Sequence, residues 1–160
     1  MRTDVPETRC KRTWYGLTAQ VTIGARFLHW AGFNGVWMPH PPFANGLLRL
    51  GLPDEAKRRL SFAHEFAHFQ TAPAALAYMI ALFVVGHPMD RIGMATILMV
   101  LISTHAAWEM LSEGLVVLED PAGYRELYGG ISMLARTLFW VAGTASMAAG
   151  WVLAMMLGPK

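Results

Sequence analysis

Three stretches of this chain are almost free of charge, and they restrict its possible folds more than any other feature: Leu60–Val85, Ile92–Leu118 and Ile131–Leu157. Each is longer than the roughly 20 residues a helix needs to cross the hydrocarbon of a bilayer. In hydrocarbon every backbone polar group must be satisfied inside its own segment, which for continuous apolar runs of this length means helices. Gly86-His87-Pro88-Met89-Asp90 separates the first run from the second, and Glu119-Asp120-Pro121 ends the second. Pro53-Asp54-Glu55 has the pattern of a helix start, with Pro in the first turn and acids near the positive end of the dipole. Composition agrees: only 15% of residues are charged, against about a quarter in soluble domains. The expected fold is an all-α membrane protein with three transmembrane helices, spanning about 60–85, 92–118 and 131–157 within a 53–160 membrane domain.

Residues 1–52 have a different character. A polar start (Arg2, Asp4, Glu7, Arg9, Lys11, Arg12) leads into a segment rich in aromatics, glycine and proline, including Trp14, Tyr15, Phe27, Trp30, Phe33 and Trp37. Aromatic residues with scattered arginines suit the headgroup region, so this part is expected to be an interfacial segment, with Ala19–Ala31 as a short amphipathic helix. A cap packed on the rest of the protein is the plainer alternative. Basic residues concentrate before the first run (Lys57, Arg58 and Arg59 among them), whereas the 86–91 turn has only Arg91. By the positive-inside rule the N-terminus is cytoplasmic and the C-terminus outside; a bacterial inner membrane is the expected location. Membrane lipids are therefore the expected surroundings, and the net charge of +2 gives no reason to expect nucleic acid as a partner. Cys10 is the single cysteine, which removes intrachain disulfides and C-x-x-C metal sites from consideration.

Charges and histidines are scarce inside the apolar runs, and they are not scattered. His64-Glu65-Phe66-Ala67-His68 is an H-E-x-x-H sequence, which on a helix puts both histidines on one face, one turn apart. Across the first turn, His68 lies 19 residues before His87 and Glu109 lies 19 residues after Asp90. His64 and Glu113 match in the same way at 23 residues. In an antiparallel hairpin the histidines of one helix are thus level with the glutamates of the next, near the cytoplasmic interface. His105, Glu109 and Glu113 share one face at i, i+4, i+8. Ionisable groups in membrane helices are costly and are usually paired or ligated. Hydrogen bonding within a helix–helix interface is the bland explanation, and His64, Glu65, His68, Glu109 and Glu113 together are an expensive way to hold two helices together.

The pair His64-Glu65-Phe66-Ala67-His68 and Glu109-Met110-Leu111-Ser112-Glu113 resembles the gluzincin pattern of zinc metallopeptidases, H-E-x-x-H followed by E-x-x-x-D. It is most similar to membrane-embedded members, in which the first motif starts a transmembrane helix. The resemblance covers about 50 of the 160 residues. It implies zinc held by His64, His68 and Glu109, with Glu65 as general base toward water, Glu113 as the carboxylate behind a ligand histidine, and a peptide as substrate. The family has Asp where this chain has Glu113, one methylene longer, so Glu113 is an alternative third ligand. A degenerate, non-proteolytic relative is also compatible with the motifs.

Two readings come from other classes. One is a small accessory subunit of a larger membrane complex, with a structural or vestigial metal and the small residues of the third run (Gly143, Ser146, Gly150 among them) as contact surface for other membrane subunits. The other takes Glu65-Phe66-Ala67-His68 as an E-x-x-H diiron ligand set together with Glu109 and Glu113, with iron in place of zinc and an oxidase activity. His105 is expected behind the ligands, one turn from Glu109. Tyr124 and Tyr128 follow the second run, where interfacial anchoring is the ordinary role. His29 and His40 could cap the site or bind a pigment or haem. Pro73, five residues after His68, should free a backbone carbonyl near Phe69.

Overall fold

A computed structural model of the chain describes residues 6–24, 30–39, 54–86 and 93–157. His29, His40 and His87 lie outside the described residues, as do the 87–92 turn and the C-terminal lysine. Four strands precede four helices: β1 (Glu7–Arg12), β2 (Thr18–Ile23), β3 (Trp30–Ala31), β4 (Gly35–Met38), α1 (Asp54–Gly86), α2 (Met94–Glu119), α3 (Pro121–Tyr128) and α4 (Met133–Leu157). Helices α1, α2 and α4 are each long and apolar enough to cross a membrane, and they are compatible with an integral membrane protein.

The all-α expectation needs correction, because the N-terminal segment forms a four-stranded sheet of order β1-β2-β4-β3. Where a helix over Ala19–Ala31 was expected, β2 occupies Thr18–Ile23 and a separate strand begins at Trp30. The physical reason lies in the side chains. Thr18, Val21, Thr22 and Ile23 are β-branched and fit a pleated, half-buried surface better than a helix. Gly24, at φ +89°, ends the strand in a backbone region that other residues rarely enter. β1 and β2 form an antiparallel hairpin, while β2 and β4 pair in parallel, Val21 opposite Val36 and Ile23 opposite Met38.

The sheet is apolar on one face only. Ala19, Val21 and Ile23 alternate inward along β2, as do Val36 and Met38 along β4, and all five are buried against Phe62, Phe66 and Phe69 of α1. Those phenylalanines recur at i, i+4, i+7, a single stripe of the helix. The opposite face of α1 is thereby left for α2. The two helices run antiparallel, and α4 lies along both. Near one end Leu60 and Ile131 pack with Tyr124 and Phe139; near the other Leu82, Met99, Val100 and Ala154 form a second cluster. Asp120 starts α3 by accepting a hydrogen bond from the Gly123 amide (2.9 Å), with Pro121 at the first helical position. Helix α1 therefore carries the sheet on one face and the helix pair on the other, and the polar side chains lie on the second.

Candidate metal centre

The two polar stripes expected from the hairpin register do meet. His64 and His68 of α1 and Glu109 of α2 offer ligand atoms that all lie within 4.8 Å of one another. His64 Nε2 is 3.2 Å from Glu109 Oε2, and His68 Nε2 is 3.3 Å from Glu109 Oε1. The two Nε2 atoms are 2.9 Å apart. The edge of a tetrahedron around an ion with bonds near 2.05 Å is about 3.3 Å, so the three donors are spaced as one small cation would hold them.

The outer nitrogens decide which way the rings are protonated. His64 Nδ1 is 2.9 Å from Glu113 Oε2. Glu113 has no exposed surface and His64 only 1%, so the ring N–H donates to a buried carboxylate. His68 Nδ1 is 2.9 Å from Ser112 Oγ, which lies 3.0 Å from Thr71 Oγ1, which donates to the Ala67 carbonyl at 2.8 Å. A carbonyl can only accept, so Thr71 must spend its proton there and accept from Ser112. Ser112 then has no proton left for His68 and accepts from Nδ1–H. As neutral imidazoles protonated at Nδ1, both rings turn Nε2 lone pairs toward each other and toward Glu109. Two lone pairs 2.9 Å apart repel unless a cation lies between them. A metal ion fits that donor set.

The stretch of α1 just beyond the histidines is fastened from three sides. Pro73 has no N–H to give the Phe69 carbonyl, and that oxygen accepts instead from the Tyr15 hydroxyl at 2.6 Å. The indole N–H groups of Trp108 and Trp14 donate to the His68 carbonyl (3.0 Å) and the Gln70 carbonyl (2.9 Å). The carbonyl that the proline was expected to free is therefore put to use, and its neighbours share the arrangement. The Trp108 ring also stands edge-on to His68, with centroids 5.0 Å apart.

Beside the metal group is a cavity of about 610 Å³, lined from the sheet by Tyr15, Ala31 and Phe33 and from the helices by Glu65, Ala72 and Trp108, together with the ligand residues themselves. Glu65 is buried and faces this space. Glu113 is on the far side of His64, away from the group formed by the two Nε2 atoms and Glu109. His105 has a side chain that is 73% exposed; its Nε2 lies 3.9 Å from Glu109 Oε1, and it also lines the cavity. Tyr124 packs with Leu60 and Ile131, not in the cavity; the Tyr128 side chain lies outside the described residues. Ser112, Thr71, Trp108 and Tyr15 were not singled out by the sequence. Ser112 had a signal, since it is a polar residue three after Glu109 in an apolar run. Tyr15 had none, because its place depends on the sheet. No family model, curated protein or solved structure matches the chain.

Proposed function

We propose that the chain is a membrane-embedded zinc metallopeptidase, with His64, His68 and Glu109 as the metal ligands and Glu65 as the general base. The observation that carries this is the pair of facing Nε2 atoms, whose protons are assigned outward to Glu113 and Ser112, with Glu109 closing the third side. Three protein donors of N, N, O type suit zinc and leave a position open, as catalytic rather than structural sites do. Zinc bound there supplies Lewis acidity, which polarises a carbonyl and acidifies a water molecule.

The protein's own residues do the rest. Glu65, facing the same cavity, takes the proton from water and returns it to the leaving amine. Glu113 holds His64 in the required tautomer, and the Ser112–Thr71 chain holds His68. Sequestering these groups from bulk water strengthens every charge interaction among them. For the substrate, a peptide is supported by β3: it ends the sheet, its Ala31 lines the cavity, and an edge strand offers backbone groups to an extended chain. The basic flank before α1 supports a cytoplasmic N-terminus and a cytoplasm-facing site.

Glu65→Gln is the deciding variant. Purified Glu65→Gln should retain stoichiometric zinc while peptide hydrolysis falls by about 10²–10⁴-fold, the usual contribution of general base catalysis. Wild-type protein without stoichiometric zinc, beside His68→Ala and Glu109→Ala controls, would sink the proposal at its first step. Iron in its place would favour the oxidase chemistry, and unchanged function of Glu65→Gln would favour a non-catalytic accessory role.

A further inference from the structure

The sheet is polarised along its length, and that polarity is independent of any metal. At one end Glu7 pairs with Arg9 (2.6 Å) and with Arg58 near the start of α1 (3.4 Å). At the other end are two turns. The β1–β2 turn is closed by Thr13 and Leu17, with Gly16 at φ +94°, and the β3–β4 turn by Gly32 and Gly35. The two lie side by side, because Gln20 pairs with Gly35 and its amide donates to Asn34. Their outermost side chains are aromatic: Trp14 is 74% exposed and Phe33 90%.

The level of these turns follows from what they touch. Trp14 is hydrogen-bonded to Gln70 through both its backbone amide (3.1 Å) and its indole, and Phe33 shares the cavity rim with Ala72 and His105. From Gln70 to Gly86, α1 has no Asp, Glu, Lys or Arg, and from Met94 to Trp108 neither does α2. At 1.5 Å per residue those stretches measure only about 25 and 22 Å, whereas the hydrocarbon is about 30 Å thick. A bilayer covering both stretches therefore reaches back to the Gln70 level on α1 and the Trp108 level on α2. The exposed apolar belt continues nearly two turns deeper, through Leu76 on α1 and Leu101 and Ile102 on α2.

We infer that this end of the sheet is set into the lipid leaflet: Trp14, Tyr15 and Phe33 lie among phospholipid headgroups and upper acyl chains, and the paired charged end stands in water. The partner surface is the leaflet that surrounds α1 and α2, continuous with their lipid-facing sides. Trp and Tyr favour that boundary because one end of each is apolar and the other polar, and an exposed Phe gains by leaving water. The arrangement places the cavity rim at the membrane surface, within reach of whatever lies in the leaflet.

The test uses full-length protein with Cys10 changed to Ser, so that one label can be placed at a time. An environment-sensitive fluorophore is attached at Phe33→Cys, at Asn34→Cys on the same turn, and at Glu7→Cys at the far end of the sheet. Each is reconstituted into vesicles of phosphatidylcholine and phosphatidylglycerol. Labels at 33 and 34 should be quenched several-fold more by lipids carrying a nitroxide high on the acyl chain than the label at 7, and several-fold less by aqueous iodide. Equal iodide quenching at all three positions, with no response to the nitroxide lipid, overturns the inference. Phe33 is too exposed for its loss to disturb packing, and Asn34→Cys gives the same reading with Phe33 intact.

Discussion

The α1–α2 pair is built in two different ways at its two ends. Near the sheet the helices meet through ionisable groups: His64, Glu65 and Glu113 are all buried, and each histidine is held by a side chain of α2. At the far end Leu82 of α1 packs against Met99 and Val100 of α2 and Ala154 of α4, and Tyr78 is hydrogen-bonded to Ser103 at 2.8 Å. Helix α4 follows the second style, bringing Gly150 against Ser103 and Gly86 against its own Ala154. A network of buried polar groups is mutually dependent, so removing one member strands the others. Apolar packing loses contacts roughly in proportion to what is removed. Damage at the site end should therefore be steep and shared, and damage at the far end shallow and local.

The largest effect is expected from His64→Ala. It deletes a proposed ligand and also removes the hydrogen bond that Nδ1 gives the buried Glu113 carboxylate. Metal content measured on the purified protein should fall from stoichiometric to near zero. Stability should fall by about 1.5–3 kcal/mol, the range for a hydrogen bond to a charged group. Retention of metal and stability together would mean that the two groups do not act as a unit, and the contrast between the ends would lose its basis.

A middle-sized effect is expected from Gly150→Ala. A Cβ at that position meets both Oγ and Cβ of Ser103 well inside contact distance, so α2 and α4 must shift apart, because turning Ser103 moves only Oγ. Overpacking of this kind costs about 1–3 kcal/mol, read as reduced resistance to unfolding in detergent. Metal content should stay at the wild-type level, because Gly150 touches nothing in the cluster. Gly143→Ala meets the side chain of Met110 instead; methionine re-routes more readily, and its effect should be the milder of the two.

The two ends also differ in how far they could be read from sequence. Equal spacing from the 86–91 turn was enough to put His64 level with Glu113 and His68 level with Glu109, because a straight helix hairpin converts sequence distance into depth. Pro73 likewise announced a freed carbonyl at Phe69. The sheet was missed for a reason of the same kind: its pairing is non-local. β4 lies between β2 and β3, and the Val21–Val36 pairing is parallel, so no hairpin signature joins the two strands. β1, with the sequence Glu7-Thr8-Arg9-Cys10-Lys11-Arg12, is an exposed edge with no apolar alternation. β2 itself is rich in β-branched residues, the local signal for a strand that the aromatic and glycine-rich composition of the segment does not convey. With the sheet unseen, Tyr15 and Phe33 could not be placed at the cavity. The Ser112–Thr71 chain was hidden differently, since a hydroxyl in an apolar helix has a backbone carbonyl of its own helix as an ordinary partner.

The smallest effect is expected from Ser103→Ala, and it tests the comparison most finely. The substitution removes the hydroxyl that meets Tyr78, while Tyr78 Oη keeps the Met147 carbonyl at 3.5 Å as an alternative acceptor. Side-chain hydrogen bonds between membrane helices average about 0.6 kcal/mol in double-mutant cycles, so the stability change should be near the limit of detection. In the Gly150→Ala background it should be smaller still or reversed in sign, because losing Oγ also removes one of the two atoms that the new methyl group meets. Metal content should be unaffected in either background. A Ser103→Ala variant that lost metal would show that the far end positions the near one through the body of α2. The helix pair would then be one coupled unit, and the division into a steep end and a shallow end would fail.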